Sequence, residues 1–190
     1  EEKVVPSIRI NDITNKYMLP DLDITNPNLD DVDLMLKTLT DNNLLEEFKA
    51  NVDILKLTLD NSDSKSLEEL LNLIKENLIV KSDELSYTYG IVIETMPILF
   101  TNKQVLESFK ANLKFYKEKN INIINILDNY RELLIINNDI LIDNYNKVLN
   151  YGLEINSDNV KYLLYNKNIL TNLDYYIEAV GYEKGFLGKE

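Results

Sequence analysis

Tyr87-Thr88-Tyr89-Gly90-Ile91-Val92-Ile93-Glu94 is the stretch on which the fold class turns. It is β-branched and aromatic with a glycine in its middle, and taken alone it suits a strand. Its wider setting suits a helix. Leu85, Tyr89, Val92 and Met96 recur at steps of four, three and four, which brings them onto one face at the α-helical period. The helical reading is adopted here, with a strand as the alternative. Pro97 ends the segment either way, because the residue before a proline avoids the α region.

Outward from this segment the helical period continues in both directions. Upstream, Val32, Met35, Leu36 and Leu39 form one stripe, Phe48, Val52, Leu55 and Leu59 a second, and Leu67, Leu70, Leu71, Ile74 and Leu78 a third. Downstream come Leu106, Phe109, Leu113 and Tyr116, then Ile123, Leu127, Tyr130 and Leu134. Leu141, Tyr145 and Val148 follow, then Val160, Leu163 and Leu164, and last Leu173, Tyr176, Ile177 and Val180. Each stripe covers one side of a helix and needs a neighbour to bury it. Pairs with capping-box spacing agree: Ser66 with Glu69, Thr101 with Gln104, and Asn43 with Glu46 in weaker form. Ser82 and Ser157 suit N-caps, and Gly152 suits a helix terminator.

Residues 1–28 read differently. They hold Pro6, Pro20 and Pro27 with no helical period, and Ser7-Ile8-Arg9-Ile10 alternates as a short strand does. The prediction is therefore an all-α fold of antiparallel helical hairpins, stacked as a short α-solenoid or an irregular bundle. An extended proline-containing arm over 1–28 precedes one helical domain over 29–190, with sub-units 29–100 and 101–190.

A repeat is written into the helical part. Phe-Lys-Ala-Asn occurs at Phe48–Asn51 and again at Phe109–Asn112. At an offset of 32, Asn112-Leu113, Tyr116, Asn120-Ile121 and Ile123 match Asn144-Tyr145, Val148, Gly152-Leu153 and Ile155. Leu133-Leu134 and Leu163-Leu164 close the two copies, and a shorter third unit begins near Leu173. A period of roughly 30–35 residues with short helices is the sequence form of an α-solenoid; amphipathic helices in a biased composition produce similar matches.

Over residues 92–182 the chain resembles the mitochondrial transcription termination factor family. There an Asn-containing helix reaches a Gly-apolar turn, and a second helix leads to a Pro-x-Leu-Leu element. Asn144 through Leu153 looks like the first part, and Met96-Pro97-Ile98-Leu99-Phe100 like the last. Later units depart from the pattern, with Tyr130-Arg131-Glu132-Leu133-Leu134 standing where the proline would fall, and the family's basic groove is missing. The resemblance implies a curved helical superhelix.

Composition removes several chemistries. The chain has no Cys and no His among 190 residues, so thiolate nucleophiles, disulfides, imidazole bases and histidine metal ligands are excluded. No glycine-rich phosphate cradle is present. Asp21-Leu22-Asp23 and Asp30-Asp31-Val32-Asp33 are acidic clusters, but acids in a first helical turn answer to the helix dipole. Asp60-Asn61-Ser62-Asp63-Ser64 begins like a calcium loop and then places Lys65 and Leu71 where Gly and Glu are needed. Neither cofactor nor metal is assigned. No apolar run approaches the ~20 residues of a bilayer span, and Ile121 to Leu127 is broken by Asn.

The net charge is −12. Residues 1–104 hold 10 Lys/Arg against 20 Asp/Glu, a net of −10, and residues 105–190 hold 10 against 12, a net of −2. Such a chain is poorly suited to neutralising phosphates and better suited to a basic protein partner. The Asn-, Ile-, Lys- and Tyr-rich composition follows from a low-GC coding bias. Among the twelve Tyr, Tyr162 and Tyr165 flank the Val160–Leu163–Leu164 stripe and are the candidate partner-binding residues. The sequence reading is thus a non-enzymatic protein-interaction scaffold, expected in the cytoplasm. An opening at Glu1-Glu2-Lys3 without Met leaves room for a trimmed leader. The alternatives are a nucleic-acid-binding helical-repeat protein and a carboxylate-dependent enzyme.

Overall fold

Apolar stripes at helical spacing become helices throughout the computed structural model, which describes residues 5–79, 84–150, 152–157 and 159–164, with side chains from Arg9 onward. Among these residues every regular element is helical. Two compact units divide the chain, Glu1–Glu107 and Ser108–Glu190.

In the first unit α1 spans Val5–Lys16, α2 Leu29–Asp41, α3 Leu45–Lys49, α4 Val52–Asn61, α5 Ser64–Asn77, α6 Leu85–Thr95 and α7 Ile98–Thr101. α2 and α5 pack together and form its centre. Val32, Met35, Leu36 and Leu39 are sealed from solvent, as are Leu67, Leu70, Leu71 and Ile74 on α5. A second layer joins α4 to α7, where the Phe48 and Phe100 rings meet edge to face at 5.2 Å. The decisive stretch lies wholly within α6. Tyr89, Val92 and Met96 are buried as the helical period requires, and the Tyr89 hydroxyl donates to the Leu71 carbonyl at 3.3 Å. Burial against α5 thus overrides a local preference for strand.

α8 runs over Lys103–Glu118, α9 over Ile123–Asn129, α10 over Glu132–Ile135 and α11 over Asn138–Asn150, and Val160–Leu164 forms a 3₁₀ turn. The division after Glu107 falls inside α8, seven residues beyond the boundary expected at 100. In the second unit α10 and α11 both pack on the 3₁₀ turn, and α9 packs on α10. Asn112, fully buried, holds this unit together. Its Nδ2 donates to the carbonyls of Leu134 at 3.1 Å and Ile136 at 2.8 Å, and its Oδ1 accepts from Asn138 Nδ2 at 2.9 Å. Asn144 repeats the move, donating to the Leu163 carbonyl at 3.0 Å.

Local geometry recurs at other matched positions. Asn43, Asn120 and Gly152 all have positive φ (58°, 58° and 81°). At each, the residue itself bonds back three positions and its successor five, to Thr40 and Leu39, Lys117 and Tyr116, Leu149 and Val148. This is the Schellman closure, in which a left-handed residue satisfies the helix's last carbonyls. Gly152 is the terminator the sequence implied. Asn43 closes α2 rather than opening α3. Met96 and Tyr130 share nearly one backbone conformation (φ −136°, ψ 51° and φ −139°, ψ 49°). The paired bonds Leu99→Met96 and Phe100→Pro97 correspond to Leu133→Tyr130 and Leu134→Arg131. The two Phe-Lys-Ala-Asn copies, by contrast, occupy different settings. The first ends α3 and leads into α4, and the second lies inside α8.

Four further expectations are corrected. The 1–28 segment is not extended throughout: Val5–Lys16 is helical, since a proline in the first turn loses no intrahelical bond. Only the part beyond it is extended, with Leu22 and Ile24 buried between exposed Asp21, Asp23 and Thr25. The N-cap of α5 is Asp63, whose Oδ1 accepts from Ser66 N at 2.7 Å, not Ser66. α8 is opened by Asn102, not Thr101, its side-chain oxygen accepting from Gln104 N and Val105 N at 2.9 and 3.1 Å. Asp and Asn outcompete hydroxyls here by reaching two or three residues forward with a stronger acceptor. Ser157 is not an N-cap; its hydroxyl accepts from Asn122 N at 3.0 Å. Ser82 and the stripe from Leu173 lie outside the described residues.

Candidate functional site

The tyrosine assignment fails at Tyr162 for a geometric reason. In an α-helix, at about 100° per residue, Val160, Leu163 and Leu164 would share a face and Tyr162 would point away. The segment is instead a 3₁₀ turn, at about 120° per residue. Val160 and Leu163 then share one face, with Lys161 and Leu164 on one flank and Tyr162 on the other, and the Tyr162 flank is the buried one while Lys161 and Leu164 are half-exposed. Tyr162 is 1% exposed, with Lys161 Nζ 5.9 Å from its ring centroid. It is a packing residue. Tyr165 lies outside the described residues, as do Tyr151, Tyr175 and Tyr176.

Many of the acidic residues prove to be structural. Asp31 grips the start of α5, its Oδ1 accepting from Ser64 Oγ at 2.6 Å and its Oδ2 from Ser64 N at 3.0 Å. Asp60 accepts from Thr25 N, Asn26 N and Lys56 Nζ at 2.8, 3.1 and 2.6 Å, tying the extended segment to α4. Burial alone would raise the Asp60 carboxyl, but Lys56 and the backbone donors outweigh it and hold it below the ordinary carboxylate range. Asp63 behaves likewise: burial raises it, and Lys103 with Ser66 brings it down. Asp33 accepts from Lys16 Nζ at 3.2 Å, and Asp30 pairs with Arg9. Among the described residues no group of three or more acidic side chains is arranged to hold a metal ion.

A further acidic surface is the outer face of α5. Lys65, Glu68, Glu69, Asn72, Leu73 and Glu76 line a shallow depression of about 400 Å³. They lie at i, i+3, i+4, i+7, i+8 and i+11, opposite the buried Leu67–Leu71–Ile74 stripe. Three carboxylates stand there against one ammonium, and Glu68, Asn72 and Glu76 are exposed. The sequence signal existed, as a Glu-rich polar face, but a solvated face of any amphipathic helix reads the same way.

The comparisons give no name to this arrangement. No family model matches the chain, and no curated protein or solved structure is detectably similar to it. The candidate surface therefore rests on its own chemistry. Among the described residues no helix is long and apolar enough to cross a membrane. Among the described residues the exposed large apolar side chains are Met18, Leu34, Val52, Leu57, Tyr87 and Ile98 in the first unit, spread over four helices and a turn, and Ile140, Ile142 and Leu149 on α11 in the second.

Proposed function

We propose that the chain is a non-enzymatic helical-repeat scaffold that binds a basic segment of another protein. The observation that carries the binding half is the acid-lined outer face of α5, a shallow strip about three turns long with Leu73 among its carboxylates. Such a face suits a Lys- or Arg-bearing helix or extended peptide, whose charges are steered by the net −10 of residues 1–104.

The repeat half is supported by the matched geometry. Asn112 and Asn144, the closures at Asn120 and Gly152, and the turns at Met96–Phe100 and Tyr130–Leu134 recur at offsets of 32 to 34 residues. The resemblance to the termination-factor repeats supports the repeat reading, while the acidic charge opposes the binding of nucleic acid.

Cross-linking with identification of the joined peptides tests the reading. Partners should be joined through lysine-rich segments near α5, and Glu68→Lys with Glu76→Lys should abolish their capture without loss of helical signal. Partners indifferent to the reversal would remove α5 from the account. Fluorescence anisotropy with labelled duplex DNA and single-stranded RNA settles the other class, since binding that weakens steeply with salt would replace a protein partner by a nucleic acid.

A further inference from the structure

Among its described side chains, from Arg9 onward, α1 is tied to its unit by few groups. It packs on α2, and its inner stripe is Ile10, Ile13 and Tyr17, at i, i+3 and i+7. Of these only Ile13 is buried, at 5% exposure. The remaining ties are ionic or polar and lie at the rim. Arg9 pairs with Asp30, Lys16 Nζ meets Asp33 at 3.2 Å, and the Tyr17 hydroxyl reaches the Asp33 carbonyl at 3.4 Å. Exposed pairs of this kind contribute little and are screened by salt.

The chain closes α1 at Met18 as it closes α2, α8 and α11, with Met18 N donating to the Asn15 carbonyl at 3.3 Å and Leu19 N to the Thr14 carbonyl at 2.9 Å. Met18 has φ 53°, a left-handed conformation that is unfavourable for a residue with a Cβ, and it is 79% exposed. Beyond it the chain is fixed again, by Leu22 and Ile24 in the core and by Thr25 and Asn26 on Asp60. Release of α1 at this closure therefore leaves the rest of the unit anchored.

We propose that α1 is a displaceable latch, occupying in cis a face of α2 that accepts a basic amphipathic helix from another protein. α1 itself displays the chemistry of that ligand: two apolar side chains one turn apart, flanked by cations that meet Asp30 and Asp33. The inference deepens the proposed scaffold function by adding a gated surface distinct from α5. Its test uses the chain's own segment as ligand, so it stands or falls separately from the existence of a partner at α5.

The experiment combines amide hydrogen exchange with titration of a labelled peptide of residues 5–17 against the full chain and its Ile13→Asp variant. In the unaltered protein the α1 amides should exchange at least about tenfold faster than those of α2, and faster again in high salt. The peptide should bind the Ile13→Asp chain at least about tenfold more tightly than the unaltered chain, whose own α1 competes for the face. Arg9→Glu with Lys16→Glu should act in the same direction. Equal protection of α1 and α2 would overturn the latch. So would equal binding of the peptide to both chains, or none to the variant. Loss of helical signal beyond α1 in Ile13→Asp would also overturn it, by making α1 part of the core.

Discussion

Asn112 is the residue on which the second unit depends most directly. With its amide removed, the Leu134 and Ile136 carbonyls and the Asn138 amide lose their partner in a site closed to water. Asn112→Ala should cost about 1–3 kcal/mol, read as a lowered urea midpoint. Tyr116 gives a second test. Its hydroxyl donates to the Leu133 carbonyl at 2.5 Å, and burial pushes it far above the ordinary tyrosine value. The folded protein therefore keeps a proton that the unfolded chain releases above pH ~10. The stability Tyr116 contributes is whole below that pH and declines as the pH rises through it toward the folded value. Tyr116→Phe should flatten the alkaline limb of a stability–pH curve; an unchanged limb would assign the loss to other groups.

At the scale of the helix, closures and glycines decide the outcome. Gly152, at φ 81°, closes α11 where Asn43 and Asn120 close α2 and α8. Gly152→Asn should consequently be nearly neutral, and Gly152→Val should cost about 1–2 kcal/mol, since a bulky Cβ disfavours this conformation. Thermal melts of the two variants separate these outcomes. Gly90 is the opposite case, a glycine inside α6. A Cβ there would meet only the Glu47 carboxylate oxygens, at 3.9 Å, an ordinary contact. Gly90→Ala should stabilise by about 0.5–1 kcal/mol; a loss would mean that α6 and α3 approach more closely than this spacing. The helical period of YTYGIVIE was legible in the sequence, because Tyr89, Val92 and Met96 recur on one face. The cap positions were not. Asp63 lies three residues before Ser66 and Asn102 one residue after Thr101, the hydroxyls that capping-box spacing favoured, and only the path of the backbone selects between such neighbours.

For the whole molecule, a net charge of −12 means self-repulsion, which salt relieves. The thermal midpoint should rise between low and physiological ionic strength; a fall would show that pairs such as Lys56–Asp60 and Lys103–Asp63 outweigh the repulsion. The sequence by itself determined the helical class, the ends of α6 and α11 at Pro97 and Gly152, and the exclusion of thiol and imidazole chemistry, because period, proline, left-handed glycine and residue inventory act locally. Tertiary structure alone decided the rest. A five-residue segment at Val160–Leu164 wound as 3₁₀ rather than α, and the packing of its Tyr162 flank put that ring in the core. A proline-bearing stretch became α1 because α2 offered it Asp30, Asp33 and a place for Ile13. Asp31 and Asp60, two acids in a polar run, became anchors because distant backbone amides came within their reach. In each case the deciding partner lies 16 or more residues away or on another element, where no local pattern in the sequence records it.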